Sequence, residues 1–93
     1  MNENWRYHIY GIVQGVGYRN SILRFVTSNL PTTVGYVRNM TDGSVEIVAS
    51  GPPEELSALE NFGHQGSRLS HVEKVVVEKN ISLERTYCDF TIK

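Results

Sequence analysis

Cysteine is nearly absent from this chain: Cys88 is the only one in 93 residues. No internal disulfide can form, which suits a reducing compartment. Basic runs are missing too. Nine Lys and Arg stand against ten Asp and Glu, for a net charge of −1, so there is no electrostatic footprint for nucleic acid. No apolar run approaches the ~20 residues that cross a bilayer. The first residues, MNENWRYHIYG, lack both the charged start and the apolar stretch of a secretion signal. The expectation is a cytoplasmic protein without nucleic-acid or membrane partners. His8, His64 and His71 have no ligand-like spacing, so no metal is expected. Without a secretion signal, the N-x-[ST] triplets at Asn39 and Asn80 read as chance. There are no internal repeats, low-complexity tracts or linkers, and the length fits one small domain over residues 1–93.

What is present is a regular alternation of strand and helix patterns. Trp5, Tyr7 and Ile9 alternate with polar neighbours at strand spacing. Ile22, Leu23, Phe25, Val26 and Leu30 form a helical stripe. Asn29 is suited to a left-handed cap, and Pro31 forbids continuation. A strand is expected at 34–39, then an Asp42-Gly43 hairpin turn, then a strand through Val45, Ile47 and Ala49. Pro52-Pro53-Glu54-Glu55 opens a second helix with Leu56, Leu59 and Phe62 inward and Gly63 as its cap. A fourth strand is expected at 72–79. Cys88, Phe90 and Ile92 alternate in a closing strand that either continues the fourth or pairs separately, with Cys88 as a small core hydrophobe. The order is that of the α+β, ferredoxin-like βαββαβ sandwich: an antiparallel sheet with two helices on one face.

Many functions use that architecture, so function must come from a site. Base-stacking modules need aromatic residues on central strands. Residues 44–49, SVEIVA, carry none, and Glu46 would repel phosphates. The most informative segment is GIVQGVGYRN at 11–20. Gly11, Gly15 and Gly17 let main-chain N–H groups converge into an anion-binding nest. The helical stripe that follows adds a helix N-terminus. The loop lacks the Gly-Lys-[Ser/Thr] ending of a nucleotide loop, and Asn20 stands where a dinucleotide fingerprint wants glycine. A small anion is the ligand it suits. Arg19 reads either as a surface charge or as a guanidinium fork for phosphate oxygens. Asn39 reads either as a strand terminator or as a side chain carried toward the glycine loop.

The two segments together resemble the acylphosphatase family. Its first signature, G-x-V-Q-G-V-x-[FY]-R, matches through Gly11, Val13, Gln14, Gly15, Val16, Tyr18 and Arg19. Its second, G-[FYW]-V-x-N-x-x-x-G-x-V, matches through Gly35, Tyr36, Val37, Asn39, Gly43 and Val45. The resemblance implies the same fold and hydrolysis of an acyl phosphate to a carboxylate and inorganic phosphate. It implies that the loop Gln14, Gly15, Val16, Gly17, Tyr18 and Arg19 holds the phosphate and that Asn39 positions the attacking water. Neither cofactor nor metal is implied, and a monomer is the simplest expectation. Related domains front larger hydrogenase-maturation proteins that handle carbamoyl phosphate. This chain stops at Lys93, so the stand-alone enzyme is favoured. A phosphate- or metabolite-binding module without turnover is the other alternative. One departure concerns Leu30-Pro31-Thr32-Thr33, which replaces the short glycine-containing turn common in the family and leaves the register of the second strand open.

Overall fold

Along the first strand the side chains sort by parity. Trp5, Tyr7 and Ile9 are buried, while Arg6, His8 and Tyr10 are only partly covered. The computed structural model describes every residue from Met1 to Lys93. Its elements are β1 (Glu3–Ile12), α1 (Tyr18–Asn29), β2 (Val34–Asn39), β3 (Val45–Gly51), α2 (Pro53–Gln65), β4 (His71–Glu78) and β5 (Phe90–Ile92). The five strands form one sheet in the order β4-β1-β3-β2-β5. Four of them are antiparallel neighbours, as expected. The closing strand pairs separately, parallel to β2, through Gly35↔Phe90 and Val37↔Ile92.

Both helices lie on one face. Ile22 and Val26 of α1, with Leu56 and Leu59 of α2, join Tyr7, Ile9, Val37, Val45 and Ile47 in the core. Each such side chain stabilises the fold by about 1.5–3 kcal/mol when fully buried. Phe25 and Phe62 stack at 4.3 Å between ring centroids and close the seam between the helices. The strand β3 is buried on both faces, because β1 and β2 flank it and the segment 79–89 crosses the outer side of the sheet. That segment must span the molecule, since β4 and β5 occupy opposite edges.

Three local expectations need correction. Asn29 is not left-handed: Asn80 is the only non-glycine residue with positive φ. Instead the Asn29 side-chain amide donates to the Phe25 carbonyl at 3.1 Å. Gly63 does not cap α2, which continues to Gln65 and closes when the Gly66 N–H donates to the Phe62 carbonyl. Cys88 is exposed rather than buried. It lies in the crossing segment ahead of the three-residue β5, where alternation carries no information about burial.

The departure at Leu30–Thr33 leaves the register intact. Thr32 and Thr33 hydroxyls donate to the Glu55 carboxylate at 3.0 and 2.7 Å. This clamp from the first turn of α2 delivers the chain to β2, which starts at Val34 opposite Ser50.

Candidate active site

The glycine loop is held by buried side chains at both ends. Val13 enters the core behind β1, and Tyr18 enters it at the start of α1. The Tyr18 hydroxyl donates to the Gly63 carbonyl at 2.8 Å, and burial raises its pKa well above that of an ordinary tyrosine. Between these anchors, Gly15 and Gly17 take φ of +72° and +79°. Side chains rarely adopt that conformation, so the turn requires glycine there. Gly17 is also the N-cap of α1 and offers no side chain to the free N–H groups of the first turn. No acidic residue lies in that turn.

Arg19 therefore sits at the positive end of a helix without a compensating acid, and it belongs to none of the molecule's ion pairs. A cation there is disfavoured until an anion joins it. The adjoining cavity, about 280 Å³, is lined by Val13, Gly15, Gly17, Tyr18, Arg19, Asn20 and Ile92. Four of the expected site residues thus meet: Gly15, Gly17, Tyr18 and Arg19. For Tyr18 the contribution is main-chain, since its side chain points into the core.

Gln14 and Val16 do not line this cavity. The Gln14 amide donates to the carbonyls of Met40 and Ser44, each at 2.8 Å. It ties the loop to the β2–β3 turn, which Asp42 braces by accepting from the Ser44 N–H and hydroxyl. The Val16 carbonyl accepts from the Ser67 hydroxyl at 2.7 Å, bracing the opposite side of the loop.

Asn39 ends β2 on the helix-facing side, in register with Val45, which pairs in turn with Ile9. That row is the last before β1 runs through Gly11 and Ile12 into the glycine loop. Asn39 does not line the cavity itself. Its Oδ1 is buried and has no hydrogen-bond partner in the protein. Sequence reasoning did not foresee Ile92 in the cavity wall, because a parallel pairing between chain-distant strands leaves no local signal. Asn20 was read only as a missing glycine. The Met40 and Ser44 partners of Gln14 were equally invisible, being main-chain atoms.

A family model described as Acylphosphatase matches residues 5–92. The chain belongs to the acylphosphatase family. It is 40% identical over 85 residues to the acylphosphatase of Pasteurella multocida, covering 91% of each. The crystal structure of acylphosphatase from Bacillus subtilis superposes with a TM-score of 0.88 at 33% identity, covering 100% of this chain and 99% of that one. The HypF structure from T. kodakarensis superposes at TM-score 0.81 and 28% identity, with this chain spanning 12% of that protein. As an acylphosphatase, the enzyme hydrolyses acyl phosphates, which are small-molecule substrates. No helix is long and apolar enough to cross a membrane.

Proposed function

We propose that Arg19 and the main-chain N–H groups of residues 14–19 bind the phosphoryl oxygens, and that Asn39 holds the water that attacks phosphorus. The observation that carries this reading is the buried, unpartnered Oδ1 of Asn39. A buried amide oxygen without a partner costs about 1–3 kcal/mol, and a bound water removes that cost. The same atom, accepting one water hydrogen, turns a lone pair of that water toward the cavity. The attacking oxygen then lies opposite the departing carboxylate oxygen. The P–O bond to the acyl group breaks as the bond to water forms, and one water proton passes to a phosphoryl oxygen, giving the carboxylate and inorganic phosphate. The leaving group is the conjugate base of an acid with pKa near ~4, so it departs without general-acid help. Positioning and charge stabilisation carry the reaction. Arg19 and the amides supply the positive charge, and the route calls for neither a metal nor a cofactor.

The charged outer rows of the sheet, with Glu73, Lys74 and Glu78 along the β4 edge, disfavour pairing between copies and support a monomer. The exposed, unpaired Cys88 fits the cytoplasm. Residues 1–93 act on this reading as one unit.

Asn39→Ala tests the assignment. Turnover of acetyl or benzoyl phosphate should fall roughly 10²-fold, the loss expected for one preorganised polar group, while inorganic phosphate binds as before. Turnover near that of the unaltered enzyme would return Asn39 to a strand terminator.

A further inference from the structure

The outer face of the sheet, opposite the helices, carries a second arrangement that acyl phosphate hydrolysis does not use. Glu46 on β3 is 5% exposed. Its cross-strand partners are His8 and Arg38. Arg38 Nε donates to Glu46 Oε1 at 2.7 Å, Arg6 Nε lies 3.2 Å from Oε2, and the Tyr36 hydroxyl donates to Oε1 at 3.1 Å. His8 Nε2 is 3.8 Å from Oε2. The carboxylate holds Arg38 by a hydrogen bond at Nε, whereas Arg6 Nε approaches it as a charge without a hydrogen bond. The terminal edge of Arg38 makes no hydrogen bond or ion pair. A guanidinium held this way loses less freedom when it binds an anion.

These groups line the largest of the main cavities, about 400 Å³, closed over by the crossing segment at Ser82–Tyr87. Two more cations enter it, Arg85 and Lys93, and neither has a carboxylate within 4.0 Å. Lys93 lies 4.4 Å from the centre of the Tyr36 ring, and Arg85 lies 5.6 Å from that of Tyr87. Against Glu46 and Glu84 in the lining, and Glu78, which pairs with Arg6 at 3.7 Å, the four cations leave a surplus of positive charge that lies with Arg38, Arg85 and Lys93, on a chain whose total charge is −1. Such a concentration of charge in a walled cleft attracts anions.

We propose that this cavity is a second anion site, separate from the glycine loop, and that it takes a small soluble molecule bearing two or more phosphate groups. Paired guanidinium forks match phosphate oxygens, and the spread of Arg38, Arg85 and Lys93 around two tyrosines suits several charges rather than one. The inference is independent of the roles assigned to Arg19 and Asn39.

The test follows backbone amide resonances of the whole chain while tripolyphosphate is added. Saturable shifts are expected at Arg38, Glu46, Arg85 and Lys93. The variant R85Q/K93Q should bind about tenfold more weakly, the order expected from losing charge-assisted contacts, with unchanged acyl phosphate turnover. R38Q should weaken binding at least as much, and its spectrum reports whether it remains folded. Shifts confined to Gly15–Asn20, or equal affinity in R85Q/K93Q, would overturn the proposal. So would sedimentation with phosphatidylglycerol vesicles that R85Q/K93Q abolishes, without any response to tripolyphosphate, because the occupant would then be a lipid surface.

Discussion

Arg19 stands in the first turn of α1, where the helix dipole opposes a cation and no side chain offsets it. Its guanidinium can present two parallel donors to two phosphoryl oxygens, whereas lysine offers a point charge on a flexible stem. Arg19→Lys should leave thermal melting nearly unchanged, since an unpaired surface cation contributes little to stability. It should weaken phosphate binding and slow acyl phosphate hydrolysis by at least roughly tenfold, the order of losing one charge-assisted bond. Normal turnover in a variant that melts normally would make Arg19 a mere surface charge. The residue was legible beforehand because its neighbours in sequence, Gly15 and Gly17, are also its neighbours in the cavity. Glu46 was legible only in part. It was read as a group that repels phosphate, yet it is enclosed by Arg6, Arg38 and Tyr36, and those partners come from two other strands.

At the scale of elements, the alternation of Trp5, Tyr7 and Ile9 and the stripe from Ile22 to Leu30 specified β1 and α1, because burial on one face repeats at the period of the element. Three-residue β5 was beyond such reasoning: its place beside β2 depends on where the segment 79–89 carries the chain. Likewise the braces of the glycine loop are tertiary. Gln14 fits the loop signature, but its side chain reaches away from the cavity to Met40 and Ser44, just past Asn39. On the proposed reading it is a positioning residue that ties the glycine loop to the turn after Asn39. Gln14→Leu should lower kcat about tenfold while inorganic phosphate binds nearly as before, since small misplacements of a water-holding group are costly. The double variant Q14L/N39A should be little worse than N39A alone, because a residue that acts by placing Asn39 has nothing left to place once that side chain is gone. Full additivity in steady-state rates would separate Gln14 from Asn39.

For the molecule as a whole, the outer face of the sheet links stability to pH. Burial alone would raise the Glu46 carboxyl. The hydrogen bond and charge of Arg38, the Tyr36 hydroxyl and the charge of Arg6 outweigh it and hold the group below its ordinary value. The unfolded chain, with Glu near ~4.3, therefore binds this proton more readily than the folded one. The stabilisation is fully present above the unfolded value and is lost as pH falls through the lowered folded value. Asp42, also lowered, by its bonds from Ser44, acts in the same direction. Thermal melting measured from pH 7 down to pH 3 should show a falling midpoint below about pH 5. Glu46→Gln should melt lower at pH 7, because Arg6 and Arg38 lose their shared carboxylate, and its midpoint should then fall less steeply with acid. The two curves should draw together with acid, as the unaltered chain gives up what Glu46 contributes. Parallel curves would mean that the cluster on β1, β2 and β3 carries none of the acid sensitivity, and that Asp42 or other carboxylates carry it instead.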